Sequence, residues 1–475
     1  MMKTTKRLMG WSAVLFLGLM AAPFSLTAAE KKAHKHGEGP AFEKPDLPAF
    51  PGAEGFGART IGGRGGKVLK VTNLNASGPG SLKWALAEDY PRIVVFEVSG
   101  IIKNAGEITA SASHLTLAGQ TAPGAGITLD GNLILGNYHG TFTKDFIVRF
   151  IRMRPIFTGA GGGSGDGIRV TNCDPAILDH VSVCWGTDEV IQFSGGGTLQ
   201  WSASEGGHTS WEGHHCHNYG AYFYNSHGLY QNVHHTLIAH AGERCPQQAK
   251  VPFLDVRNIV VYNSTHGAYL THANAVGNYF KEGPGGPQAM RPNLPIPRPA
   301  RPGLHIKKDK DIYVSGNMFS TMKGELSKMD VKGTVKAPIT CPPVTTQTAE
   351  EGYELVLAHA GCLPRDAVSK KVFRDVRTGT GFMGRRVPEG GLMEGLTPGK
   401  PKPDADNDGM PDAWEKAHKL DPNDSADSNK IVPAGASKDD RHKGYTYIEY
   451  YINECADTLI GQAMEEYEKL KTDTE

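Results

Sequence analysis

Two stretches of the sequence carry residues whose type and spacing could do chemistry. In Leu229–Lys250, LYQNVHHTLIAHAGERCPQQAK, paired His234 and His235 open a strand-like run that ends in the loop Glu243-Arg244-Cys245-Pro246. If the chain is an enzyme, Arg244 is the candidate for the group that removes a proton. A guanidinium resists deprotonation, so its surroundings would have to disfavour the charged form. The alternative is an arginine that only pairs a carboxylate. In DADNDGMPDAWE, Asp404, Asp406, Asp408, Asp412 and Glu415 fall at positions 1, 3, 5, 9 and 12 with Gly409 at 6, the spacing of an EF-hand calcium loop. Oxygen ligands in that order suit Ca2+; the alternative is an acidic, solvated linker. Asp439–Tyr451 has a related frame, but Arg441, Lys443 and Tyr450 stand at ligand positions, so no ion is expected there. His214, His215, Cys216 and His217 could offer zinc ligands, although neighbours in sequence rarely all face one ion.

The elements that must position these residues are mostly short strands. From Ile93 to Phe280, β-branched runs such as Ile93–Phe96, Leu115–Leu117, Phe146–Ile151, Ile177–Val181 and Val256–Val261 alternate with Gly, Asn and Asp turns. Corresponding positions recur after about 20 residues: 21 from Leu178 to Leu199, 23 from Val233 to Val256, 20 from Asn258 to Asn278. That period marks a solenoid in which each turn covers the apolar face of the next, and it predicts that Asn258 and Asn278 stack. A β-sandwich would show tighter hairpin turns. Val68–Val71 reads as a strand and Ser81–Leu86 as a short helix; a nucleotide loop is excluded because Gly66-Lys67 runs into a strand. Thr348 is the expected cap of a helix over Ala349–Ala360.

The 475-residue chain carries 50 basic and 50 acidic side chains, and this balance gives no support for a nucleic-acid partner. Residues 1–29 have the charged, apolar and small-residue order of a secretory signal peptide, so a secreted or periplasmic protein with no membrane segment after cleavage is expected. Residues 30–47 read as a linker, 48–395 as the solenoid with a helical packing segment, and 396–475 as a calcium-loop region. Seven cysteines are scattered without metal-like pairs, and Cys341 and Cys362, flanking the expected helix, could form a disulfide. Lys281–Gly303, rich in Pro and Gly and holding Arg291, Arg298 and Arg301, reads as a surface loop over the groove.

FPGAEGFGA (Phe50–Ala58), TNLNASGPGSLKWAL (Thr72–Leu86), LTLAGQTAPGAGITLDG (Leu115–Gly131), IVRFIRMRP (Ile147–Pro155) and ILDHVSVCWGTDE (Ile177–Glu189) together resemble the pectate lyases, a polysaccharide lyase family. The resemblance runs from about Phe50 to Gly381. It implies an all-β, right-handed parallel β-helix and Ca2+-assisted β-elimination on polygalacturonate or a related acidic polysaccharide; beyond it, the acidic spacing of Asp404–Glu415 adds the expectation of a small C-terminal helical and calcium-loop extension. A monomer is expected.

The same resemblance implies that Asp166 in SGDGIRV and Asp188 in WGTDEVIQF hold the metal, and that Arg244 is the base. Ser164 and Gln192 stand where relatives carry further acids, with Glu189 the candidate substitute. His217, Lys250 and His180 are the expected substrate contacts, His180 alternatively being a buried structural residue. Glu212 stands about where a lysine is expected. These departures leave two other readings: an acidic-polysaccharide-binding protein on the same scaffold, and a β-helix glycoside hydrolase using paired carboxylates.

Overall fold

The structure, a computed structural model, describes residues 46–138, 140–155, 165–207, 217–225, 227–285, 300–329, 331–382 and 387–472. The expected leader and all but the last two residues of the expected linker lie outside the described residues. So do Ser164, Glu212, His214, His215, Cys216, Arg291 and Arg298. No described helix is long and apolar enough to cross a membrane.

The β-branched runs form strands that stack in parallel, turn upon turn. Arg92–Phe96, Leu115–Ala118, Phe146–Arg149, Ala176–Asp179, Gly197–Gln200, Gln231–His234, Leu254–Arg257 and Ala273–Val276 are successive neighbours in a ten-stranded sheet. Val94, Leu117, Val148, Leu178, Leu199, Val233, Val256 and Ala275 fall in one register column, every one of them buried. The intervals of 21 and 23 residues seen in the sequence are therefore single turns of the solenoid. A second, sixteen-stranded path changes face at the long strand Ile127–Leu135, which pairs Ile151–Met153 with its first half and Ile168–Thr171 with its second. Three parallel faces thus enclose one core, a parallel β-helix. One turn alone cannot bury its inward Leu or Val; stacking does so, at ~1.5–3 kcal/mol per side chain.

Where the ten-stranded sheet ends, one residue per turn takes a left-handed backbone: Phe150, His180, Trp201, His235 and Asn258 have φ of 55°, 51°, 46°, 47° and 47°. Rings at these positions stack, Phe150 on His180 at 4.6 Å and Trp201 on His235 at 4.0 Å. This column corrects two expectations. His180 is 2% exposed, with Nδ1 3.0 Å from Asp179 and Nε2 3.4 Å from His359, so it is not available to a polymer arriving from solvent. Asn258 and Asn278 do not stack on each other, because they lie one position apart in the register. Asn258 donates to the Gly277 carbonyl at 3.0 Å, whereas Asn278 donates to Asn317 Oδ1 at 2.8 Å.

The glycine-rich opening stretch is laid across the outside of this sheet. Phe56 N donates to Asn232 Oδ1 at 2.6 Å and Gly57 N to Thr198 Oγ1 at 2.8 Å. A Cβ on Gly57 would sit 2.7 Å from the Ala176 carbonyl oxygen, so only glycine permits this approach. Phe50, Ala53 and Ala58 close over the outward side chains Ile147 and Ile177.

Helices cover another flank. The expected helix forms over Ala349–His359, with Thr348 Oγ1 accepting from Glu351 N at 3.2 Å and Glu351 Oε2 accepting from Thr348 N at 3.1 Å. Thr348→Ala is expected to cost about 1 kcal/mol. The check is a lower urea midpoint at unchanged slope. Cys341 and Cys362, which the sequence allowed to pair, are both free thiols. Cys341 lies 3.7 Å from Asn274 Nδ2 and Cys362 lies 3.7 Å from Arg152 Nη1, each occupied by a different part of the solenoid.

Candidate active site on the outer face of the solenoid

Strands Ile168–Thr171, Glu189–Ser194, Tyr219–Tyr224, Gln247–Ala249, Gly267–Leu270 and Gly303–Ile306 lie side by side. Their side chains alternate between core and outside. Arg169, Gln192, Tyr222, Gln247, Tyr269 and His305 are in register along the outside, one per turn, none of them buried. At the start of these strands Asp166, Asp188 and Glu189 converge, offering one oxygen each within 4.8 Å of the others.

Each acid has a basic neighbour. Asp166 Oδ2 accepts from Arg169 Nε at 2.6 Å, and its Oδ1 accepts from Glu189 N at 3.3 Å. His217 Nδ1 is 2.5 Å from Asp188 Oδ1. Glu189 pairs with Arg244 Nη1. Burial pushes the Asp166 carboxyl up to about 6; the Arg169 bond opposes that rise and the charge of Asp188 adds to it.

Arg244 sits at φ 58°, a left-handed conformation uncommon for arginine, in the turn before Gln247–Ala249. Its carbonyl oxygen accepts from Ala221 N at 2.6 Å, which anchors the turn to the neighbouring strand. The guanidinium lies over two tyrosine rings, 3.7 Å from the centroid of Tyr219 and 4.4 Å from that of Tyr222. Burial lowers the Arg244 pKa, while the charges of Asp188 and Asp166 raise it. The arrangement can bind a divalent cation, receive an acidic ligand, and hold a basic group beside both.

Of the residues expected from the sequence, Asp166, Asp188, His217 and Arg244 meet here, and Glu189 completes the acidic set. Lys250 is exposed near the same face, its Nζ 3.3 Å from the Tyr224 hydroxyl rather than among the acids. His180 belongs to the buried turn column. Arg301 lies over the Phe319 ring at 5.1 Å and 3.3 Å from Glu282. Arg169, Tyr219 and Tyr222 were missed. Tyr222 had a signal, since Tyr222 and Tyr224 flank buried Phe223 at strand period.

A second acidic cluster lies in the C-terminal region. Asp404, Asp406 and Asp408 converge, as do Asp408, Glu415 and Asp427. Asp412 is in neither group, its Oδ1 accepting from Ala405 N at 2.8 Å, and Asp427 is a carboxylate the spacing did not point to.

No protein-family model matches the chain. Among curated proteins it is similar to "Probable pectate lyase C" of Neosartorya fischeri, 34% identical over 426 residues that cover 86% of this chain and 93% of the relative. It is likewise similar to "Probable pectate lyase C" of Aspergillus terreus, 34% identical over 425 residues that cover 86% of this chain and 94% of the relative. Among solved structures, a pectate lyase from Bacillus sp. N165 in complex with trigalacturonate aligns with a TM-score of 0.46 at 14% identity, covering 65% of this chain and 98% of that one. The major allergen of cedar pollen aligns with a TM-score of 0.48 at 15% identity, covering 66% and 93%.

Proposed function

The chain belongs to the pectate lyase family, and on that premise we propose that it is an exported, monomeric enzyme that cleaves pectate or a related uronate polymer by calcium-assisted β-elimination. The observation that carries this reading is the meeting of Asp166, Asp188, Glu189 and Arg244, drawn from three turns, on one outer face.

The donor set fits a hard divalent cation. Carboxylate oxygens converge, and burial drives Asp166 towards its neutral form unless positive charge offsets it. Asp166, Asp188 and Glu189 would hold Ca2+, which when bound would offset the substrate carboxylate and stabilise the negative charge developing on the adjacent carbon. Arg244 is the base. The C–H bond α to the uronate carboxylate breaks, and its proton passes to a neutral guanidine nitrogen. The freed electron pair forms a C=C bond, and the bond to the 4-linked sugar oxygen breaks, that oxygen taking a proton from water. Burial favours the uncharged guanidine this step requires, against the charges of Asp188 and Asp166 and the faces of Tyr219 and Tyr222, which favour the cation. The outward row from Arg169 to His305 would lie under the polymer, His217 meeting it beside Asp188. The C-terminal acidic cluster is, in the same reading, a second calcium site.

One observation favours a second reading, binding without turnover: all three acids already have a basic partner. Incubation with polygalacturonate decides between them. Calcium-dependent release of unsaturated, ultraviolet-absorbing ends is expected, falling by about 10²-fold with chelator or in Asp188→Asn. Tight binding without product would establish the second reading, and new reducing ends without that absorbance would mean hydrolysis.

A further inference from the structure

The C-terminal acidic cluster is built into the packing of the molecule. Glu415 and Asp427 are 0% and 1% exposed. Both Glu415 oxygens and Asp427 Oδ1, with Asp404 Oδ1, Asp406 Oδ2 and Asp408 Oδ2, are buried without a hydrogen-bond donor. Buried polar atoms are rarely left so, and a carboxylate in this state is costly unless a cation meets it. Burial, and after it the neighbouring acids, push Asp408 up to about 7 and Glu415 up to about 8. Lys70 Nζ reaches Asp404 Oδ2 at 3.1 Å and Glu97 at 2.6 Å, which leaves the inner oxygens unmatched.

These acids also bracket a contact between the two ends of the described chain. Met410, between Asp408 and Glu415 in sequence, is buried with Ile93 and Val95 from an early turn and with Ile448 and Ile452 from the last helix, Tyr447–Thr472. A Cβ on Gly409 would come 2.7 Å from Val68, so the loop backbone lies directly on the first strand. Asn429, two residues beyond Asp427, donates to the Gly66 carbonyl at 3.4 Å.

Resting on the reading of this cluster as a calcium site, we infer that Asp404, Asp406, Asp408, Glu415 and Asp427 together hold one Ca2+ that acts as a clasp. It fastens the segment from residue 404 to the last helix against the first turns of the solenoid. Asp427 comes from outside the twelve-residue loop, so the ion ties that loop to the chain that follows it. Without the cation, five clustered carboxylates repel, and the force falls on the seam at Met410. Opening that seam exposes the outward Ile93 and Val95, an apolar face that a solenoid must cover near its end.

The test uses the full chain carrying Asp188→Asn, which weakens the groove as a competing site, with Ca2+ alone as the ligand. Calorimetry should find one ion per chain. At ~100-fold excess over Kd the Tm should rise by about 3 °C, and proteolysis between residues 400 and 445 should slow at least about 10-fold. Glu415→Gln and Asp427→Asn should each abolish both responses. In chelator neither variant should melt below its parent, since each removes a repelling charge; that arm separates lost ligation from misfolding. Retained binding in both variants would overturn the ligand set. Binding with no change in Tm or proteolysis would overturn the clasp but leave the calcium site standing, and no binding would overturn both. Turnover of polygalacturonate by the unsubstituted chain is scored separately, so failure of the lyase reading leaves this result untouched.

Discussion

Arg244→Ala is expected to lower kcat for the release of unsaturated products by about 10³-fold, within the range for a positioned general base, while KM changes far less. The reason lies in the placement of the guanidinium rather than its charge alone. Its left-handed turn, the two tyrosine faces and Glu189 fix one approach to the groove. Arg244→Lys keeps a cation but loses the planar fork, so it should restore little of kcat even if it restores binding. If Arg244 only paired the substrate carboxylate, the lysine variant would recover most of the activity and the alanine variant would lose chiefly KM. Rates measured at saturating Ca2+ on a fixed polygalacturonate preparation separate these outcomes. An alanine variant within tenfold of the parent kcat would remove Arg244 from the role of base.

The second large effect is on stability. Arg154→Met is expected to destabilise the fold by about 3–5 kcal/mol, the usual cost of breaking a buried ion pair from one side. Arg154 is wholly buried and gives Nε and Nη2 to the two Asp366 oxygens, each at 3.0 Å, with Nη2 also 2.7 Å from Glu205 Oε2 and 2.9 Å from Ser369 Oγ. Asp366 caps the helix Ala367–Thr378, accepting from Ser369 N at 2.9 Å, so the arginine pins that helix to the solenoid. Its removal leaves two buried acids facing each other. Burial already raises the Glu205 pKa, with Arg154 the first group to counter it and the charge of Asp366 adding to the rise. The double variant Arg154→Met, Asp366→Asn should recover part of the loss, because one orphaned charge goes with it. Urea denaturation in calcium-saturated buffer measures both, and an unchanged midpoint for Arg154→Met would show that the helix is held by other contacts.

Much of the fold was legible along the chain. β-branched runs recurring after 21 and 23 residues were enough for a solenoid, because in such a fold the neighbour in space is the next turn in sequence. Thr348 marked a helix start by the same local logic, and the structure added Glu351 as the second half of the cap. The asparagine stack failed for a matching reason. A turn that gains or loses one residue slides the register, and spacing alone placed Asn278 beside Asn258 instead of Asn317.

The site divides along the same line. Sequence alone determined the residue types: an arginine before a Cys-Pro turn, acids at Asp166, Asp188 and Glu189, and an acidic loop with glycine at its sixth position. The tertiary structure decided which of them meet. It turned His180 inward among stacked rings, set Tyr219 and Tyr222 beneath Arg244, and brought Asp427 beside Asp408 and Glu415. Hydrogen bonds and hydrophobic period act over a few residues and leave their mark in the sequence. The convergence of charges from different turns depends on the length and path of every intervening loop, and that sum is settled only when the turns have stacked.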